Sequence, residues 1–354
     1  MSTSATIRVA VNGYGVIGKR VAAAVTRQDD MSLVGVSDVV TDWRARMVIR
    51  NGFRLFGATS DAASAMRDAG LPVTGTLDEL LGQIDVVVDC TPKRIAAKNV
   101  DLYRRQGLKF ILQGGESHAA TGHSFVAEAN YASALGREAT RVVSCNTTSV
   151  VRTLTALKRA GLLRRARGTL LRRATDPWES HESGIMNTLV PEPEIPSHQG
   201  PDAQTVDPDL DVVTMAVKVP ETLAHLHYWS VQLSRKATKD EVLEAFAGTS
   251  RIALIRIGDG LVALNSVKEL MADRGRPHDN LYEVALWADM LRVRGDEVFY
   301  AYMVDNQAIV IPETIDAIRA LTGTVRNANE SIARTNASLG VEAALIREEA
   351  LQDR

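Results

Sequence analysis

Three glycines constrain this chain more than any other feature. Gly13-Tyr-Gly15-Val-Ile-Gly18 follows Ile7–Val11, an apolar run that reads as a buried strand, and leads into Lys19–Arg27, which reads as a helix. A tight turn from strand into helix needs the first glycine. The second lets the backbone approach a pyrophosphate, and the third lets helix and strand pack closely, with phosphates at the helix N-terminus. Asp38 lies twenty residues past Gly18, just beyond a second strand-like run, Ser32–Ser37. A carboxylate there accepts hydrogen bonds from an adenosine ribose. Three glycines in an ordinary turn with a surface aspartate would account for each part alone, but not for the whole succession. The expected ligand is a dinucleotide: NAD first, because a 2′-phosphate would meet Asp38 as a like charge, and NADP second.

The same texture continues. Ile84–Asp89 and Lys109–Leu112 are strand-like, and Arg94–Gln106 between them reads as a helix. Strand and helix in alternation predict an α/β fold with a Rossmann-type parallel sheet covered on both faces. From about Arg141 the pattern changes. Ser149–Leu163 reads as a helix with one apolar face. Strand-like runs follow at Gly168–Ala174, Leu210–Val219, His225–Leu233, Arg251–Ile257, Leu286–Val293 and Val298–Val304, the last two flanking a turn at Arg294–Glu297. Consecutive strands joined by turns predict a second, α+β domain with a mainly antiparallel sheet. Pro191–Gly200 reads as an ordered loop, and helix resumes after Pro312 and again beyond Val325.

Composition excludes several classes. Of 354 residues, 45% are hydrophobic, enough for a core and, at roughly 150 residues per domain, for two domains. Lys plus Arg (41) nearly cancels Asp plus Glu (43), so no global charge favours nucleic acid or an anionic membrane. No apolar run approaches the ~18 residues that span a bilayer, and no signal-peptide pattern opens the chain. Two cysteines make no disulfide framework. A cytoplasmic globular protein is expected.

The two cysteines differ in setting. Cys90 ends an apolar strand and reads as packing. Cys145, in Ser144-Cys-Asn-Thr-Thr148, sits between an apolar run and the amphipathic helix. Backbone N–H groups and the positive end of that helix are expected to depress its pKa. A small packing cysteine with capping threonines is the competing reading. His225 and His227 stand two apart, hence on one face of a strand. No further ligands at metal spacing accompany them, so one is expected to act as a general base and the other as its neighbour. His198, on the Pro-rich loop, is a third candidate; His118, His123 and His181 read as surface residues. Of Arg172 and Arg173, which end a strand and alternate faces, one is expected to point toward an anionic ligand.

Taken together these motifs resemble the archaeal-type (class II) phosphorylating glyceraldehyde-3-phosphate dehydrogenases over nearly the whole chain. The resemblance rests on Val11–Arg20, Gln113-Gly-Gly-Glu116, Arg141–Thr148, Arg172-Arg-Ala174, Pro196-Ser-His198, the Thr-Leu-x-His-x-His run at 222–227, and Ile315–Arg319. It implies Cys145 as nucleophile and His225 as the catalytic histidine. It implies Ser144, Asn146, His198 and Gln199 at the substrate, and cofactor contacts at Val16, Ile17, Gly115, Arg173 and Gln307. It further implies that the C-terminal helix returns to the nucleotide domain, giving domains 1–140 with 308–354 and 141–307, and that the protein is a homotetramer. Two departures stand out. Gln199 occupies a position that is often histidine in the family, and Asp38 lies near a position where NADP-preferring members tend to carry lysine.

The expected chemistry is attack of the Cys145 thiolate on an aldehyde, hydride transfer, and release of the thioester by inorganic phosphate. The Cys145 N–H and Asn146 would face the oxyanion. The hydroxyls of Thr147 and Thr148, with Arg173 and His198, would hold phosphate. The expected reactants are glyceraldehyde 3-phosphate and inorganic phosphate, in either direction. Two alternatives remain open from sequence. One is a related acyl-phosphate reductase, such as an aspartate- or N-acetylglutamate-semialdehyde dehydrogenase; the other is a non-catalytic NAD-binding protein.

Overall fold

In a computed structural model the chain forms two compact units, and residues 6–113 and 115–346 are described. The first unit is built on strands β1 (Ile7–Asn12), β2 (Met31–Asp38), β3 (Leu55–Gly57), β4 (Val73–Thr76), β5 (Val86–Asp89), β6 (Lys109–Leu112), β7 (Ser124–Phe125) and β8 (Ala139–Val142). They form one parallel sheet in the order β4-β3-β2-β1-β5-β6-β8-β7. Ala10, Val87 and Phe110 are register partners on one face, packed with Leu80, Ala96, Val100 and Tyr103 from the covering helices. The alternate residues Val9, Val11, Val88 and Ile111 are equally buried. A strand covered on both faces must be apolar throughout, which is why these runs lack alternation.

Helix Val310–Thr322 belongs to this unit, packing on β6, β8 and the first helix, Val16–Val25. Its buried Arg319 donates to both oxygens of Asp30 at 2.8 and 2.9 Å, to Gln28 and to Thr335. Helix Ala328–Leu339 completes the unit. The chain then leaves it. Residues 340–346 join the second unit, where the expected boundaries had kept them with the first. The cause is a set of anchors: Arg274 pairs with Glu342 at 2.7 Å and donates to the Leu345 carbonyl. Arg276 reaches the Gly340 carbonyl, and Glu283 accepts the Glu342 N–H.

The second unit holds β9 (Leu163–Arg173), β10 (Val190–Pro191), β11 (Val212–Val219), β12 (His225–Leu233), β13 (Ile252–Ile255), β14 (Val284–Trp287), β15 (Arg292–Arg294) and β16 (Glu297–Val304). The order is β10-β11-β9-β12-β16-β14-β13, with β15 on β16. The sheet is mixed and mostly antiparallel, β9–β11 and β13–β14 being its parallel pairs. The single strand expected at Leu286–Val293 is two, because the chain turns at Asp289, whose carboxylate accepts the Ile257 N–H. Along β12, His225, His227, Trp229 and Val231 point inward and Tyr228 outward.

Candidate active site

The glycine loop is built as its sequence requires. Gly13 has φ +91°, a region that L side chains rarely adopt. A Cβ on Gly18 would lie 1.8 Å from the Gly13 carbonyl oxygen, so only glycine permits this approach of helix to loop. A Cβ on Gly15, by contrast, would meet no protein atom within 4 Å. Gly15 is the N-cap of helix Val16–Val25, whose first turn has neither a side-chain cap nor an acidic residue. Its first N–H groups, at Val16 and Ile17, suit an anionic phosphate. Cys90 packs under this loop: its Cβ would lie 3.4 Å from one on Gly18, and burial pushes its thiol well up.

Asp38 ends β2 beside the loop. Its Oδ2 accepts the Tyr14 N–H at 2.6 Å, and Oδ1 accepts those of Val39 and Val40 at 2.6 and 3.3 Å. The carboxylate thus holds the loop. Arg44, six residues past Asp38 in the chain, is engaged with Asp42 at 2.6 Å. Gly115, at φ +79°, turns the chain after β6 with open space where a Cβ would be. A glycine cradle, an open helix start and a carboxylate at the second strand fit a dinucleotide.

In the second unit, helix Cys145–Arg159 begins at the cysteine, four residues before the expected start at Ser149. Asn146, Thr147, Thr148 and Ser149 are all buried in its first turns. Cys145 Sγ lies 3.5 Å from His225 Nε2, and His225 Nδ1 accepts the Arg173 backbone N–H at 3.0 Å. His227, one pleat along, stands 2.8 Å by Nε2 from Asn146 Oδ1 and 3.0 Å by Nδ1 from the Tyr302 hydroxyl. Each imidazole therefore has its own partner on the helix.

The electrostatics correct one expectation. Burial pushes the Cys145 thiol up to about 11, despite opposing help from Arg173, the Asn146 N–H and Arg172. A helix start alone does not offset the loss of water around the thiolate. Burial likewise drives His225 well below its usual range, aided by His227, Arg173 and Arg172, and takes His227 down to about 3. Both rings are neutral at pH 7.

Arg173 and Gln307 meet on one carboxylate: Asp176 Oδ1 accepts from Arg173 at 2.7 Å and from Gln307 Nε2 at 2.6 Å. Arg172 pairs with Glu192, whose other oxygen lies 3.5 Å from Nδ1 of the exposed His198. The Thr147 hydroxyl, expected to hold phosphate, donates instead to Asp202 at 2.7 Å. Gln199 is fully enclosed, and its amide atoms have no partner among the described residues. Ser144 is half-buried, directly before the thiol. His123 is not a surface residue. It is buried between Thr140 and Ser133, at 2.7 and 2.8 Å, because β8 and the short helix before it close around the ring. His181 is exposed and His118 is half-buried. Tyr302, Asp176, Glu192 and Asp202 carried no sequence signal, since their roles come from strand register and loop closure.

An all-parallel sheet bearing a dinucleotide cradle, joined in one chain to a mixed sheet that places imidazole on thiol, defines an α/β oxidoreductase dependent on a nicotinamide dinucleotide. Residues 144–273 match the family model described as the C-terminal domain of glyceraldehyde 3-phosphate dehydrogenase. Residues 7–147 match that described as the N-terminus of dihydrodipicolinate reductase. Proteins named glyceraldehyde-3-phosphate dehydrogenase are similar along nearly their whole length. The one from Methanobacterium bryantii is 42% identical over 94% of this chain and 99% of its own. Those from Metallosphaera sedula and Thermococcus kodakarensis are 43% and 42% identical, over 95% of this chain and 98% and 99% of theirs. The chain belongs to the glyceraldehyde-3-phosphate dehydrogenase family and is a dehydrogenase.

Proposed function

We propose that this protein oxidises D-glyceraldehyde 3-phosphate reversibly to 1,3-bisphosphoglycerate through a thioester on Cys145, with inorganic phosphate as the second substrate. The observation that carries the reading is the 3.5 Å approach of His225 Nε2 to the Cys145 sulfur at a helix start. Binding alone needs neither group.

Cys145 is the nucleophile and His225 its partner, and the Cys145 N–H and Asn146 are the donors for the oxyanion. The Arg172–Glu192–His198 chain offers a guanidinium and an imidazole to phosphate, with Ser144, Gln199 and the Thr148 hydroxyl as further substrate contacts. Gln199 holds any phosphate as a neutral amide, without charge. Gly13, Gly15, Val16, Ile17, Gly18, Asp38 and Gly115 bind the dinucleotide, with Arg173 and Gln307 as further contacts. The bound dinucleotide supplies hydride acceptance. Asp38 favours NAD, with NADP as the second choice.

Met215, Tyr228 and Phe299 are exposed on one face of the second sheet, where β9, β11, β12 and β16 lie side by side. Such a row supports self-association, and a homotetramer is the assembly we infer. Among the described residues no helix is long and apolar enough to cross a membrane. Both cysteines are free, which supports a place in the reducing cytoplasm. The decisive assay is NADH formation from D-glyceraldehyde 3-phosphate with and without inorganic phosphate. Phosphate-dependent formation is expected; equal rates without phosphate, or activity only with an amino-acid semialdehyde, would refute the reading.

A further inference from the structure

A carboxylate lies fully buried near the middle of the first sheet. Asn12 and Asp89 are register partners at the C-terminal ends of β1 and β5, where the strand order turns. A doubly wound sheet binds its ligand over this edge, at such a turn. Asp89 Oδ1 accepts the Thr91 N–H at 2.9 Å and the Thr91 hydroxyl at 2.6 Å. Oδ2 accepts Asn99 Nδ2 at 2.8 Å and the Tyr103 hydroxyl at 2.6 Å. Each oxygen already receives an N–H, so the hydroxyl that shares it must donate. Tyr103, its proton given to Asp89, accepts from Asn12 Nδ2 at 2.9 Å, and this turns Asn12 Oδ1 toward the Ser37 hydroxyl at 2.8 Å. One buried acceptor thus sets the direction of a hydrogen-bond chain running from β5 across β1 to β2.

Thr91 is the member of this chain beside the glycine loop. It is half-buried, and its backbone N would lie 3.1 Å from a Cβ on Gly13. A hydroxyl has one proton and two lone pairs; with the proton committed to Asp89, lone pairs alone face outward. A phosphate oxygen, itself an acceptor, gains nothing there. Ribose hydroxyls donate, and a dinucleotide carries a ribose on each side of its pyrophosphate.

We propose that Asp89 is a positioning residue for the dinucleotide: it takes the Thr91 proton, so that Thr91 meets the ligand as an acceptor for a ribose hydroxyl and not as a donor to phosphate. The inference rests on the dinucleotide reading of the glycine loop. It adds a contact from β5, which flanks β1 on the side away from β2 and Asp38.

The test uses the full-length protein. Thr91→Val keeps the shape and removes the hydroxyl; calorimetric titration should give a Kd for NAD about tenfold above wild type. KM for NAD should rise with it and kcat stay nearly unchanged, because the contact is the same in ground and transition states. Thr91→Ser, which keeps the hydroxyl, should bind within about threefold of wild type. NAD analogues, each lacking one hydroxyl of one ribose, separate the adenosine from the nicotinamide side. One of them should bind wild type about tenfold more weakly than NAD does, yet bind Thr91→Val no more weakly, and its identity names the ribose. Asp89→Ala should weaken NAD at least as much as Thr91→Val and lose the same discrimination; if it does not fold, Thr91→Val decides alone. NAD held as tightly by Thr91→Val or by folded Asp89→Ala as by wild type would overturn the proposal. So would the same penalty for every analogue in wild type and Thr91→Val. If the affinities behave as expected but no phosphate-dependent dehydrogenase activity exists, the proposed function falls and the role of Asp89 stands.

Discussion

His227 Nε2 meets Asn146 Oδ1 at 2.8 Å, one residue beyond the thiol that His225 faces. Two histidines on one strand face thus address two consecutive residues of one helix start. Tyr302, the register partner of His227 on β16, lies at the other ring nitrogen and fixes the imidazole. The consequence is that the amide of Asn146 is held before any substrate arrives. Tyr302→Phe and His227→Asn should each lower kcat by about tenfold with KM nearly unchanged. That is less than the ~100-fold cost of losing an oxyanion donor outright. A rise in KM at constant kcat would assign the network to substrate binding instead.

Cys145→Ala should abolish dehydrogenase activity and leave dinucleotide affinity intact, since the glycine loop lies in the other unit. Cys90→Ala should keep most activity, because alanine retains the Cβ that packs beneath Gly18. Turnover assays with dinucleotide titrations on both variants check this. An inactive Cys90→Ala that still binds dinucleotide would reverse the assignment of the thiols.

Cofactor selection follows from Asp38. Replacing it by alanine removes a like charge from the path of a 2′-phosphate and also an acceptor for a ribose. The ratio of kcat/KM for NAD to that for NADP should fall by about tenfold or more. Both values should fall somewhat together, because the Tyr14, Val39 and Val40 N–H groups lose their acceptor. A wild type that prefers NADP, or an unchanged ratio, would contradict the assignment.

Acid should weaken the first unit through His123. Burial holds this ring neutral in the folded state, with a pKa lowered from 6.5 to about 4. Below pH 6.5 the unfolded chain takes up the proton and the folded one does not. Stability is therefore full above about 6.5 and declines as pH falls toward 4. The loss grows over that window as the unfolded chain gains the proton that the folded chain refuses. Denaturant unfolding at pH 7, 5.5 and 4.5 should show the decline, and His123→Gln should flatten it. An identical slope in the variant would place the acid sensitivity elsewhere.

Much of this was readable from sequence, and what was missed has physical causes. Val86–Val88 and Phe110–Leu112 announce themselves because a doubly covered strand is built mostly from apolar residues. The strands Leu55–Gly57 and Val73–Thr76 do not, being short and partly glycine and threonine. The start of helix Cys145–Arg159 was hidden because Asn146–Ser149 are polar, and polarity ordinarily marks the outside. These four are buried because their hydrogen bonds are made internally; Ser149 Oγ donates to the Asn146 carbonyl, for example. His225 and His227 were placed together by the period of a strand. That Tyr302 stands opposite one and the Arg173 amide opposite the other is a matter of register, which a single sequence does not encode locally.

The path of the chain also bears on how the protein is made. The first unit takes its helix Val310–Thr322 and the Arg319–Asp30 pair from residues that follow 145–309. A ribosome making this chain therefore releases β6 and β8 without the helix that packs on them, and must translate the whole of 145–309 before that helix exists. Domain-by-domain folding during synthesis is closed to the first unit. The apolar side chains of β6 and β8 beneath that helix wait in the open until then, the condition under which a nascent chain most needs a chaperone.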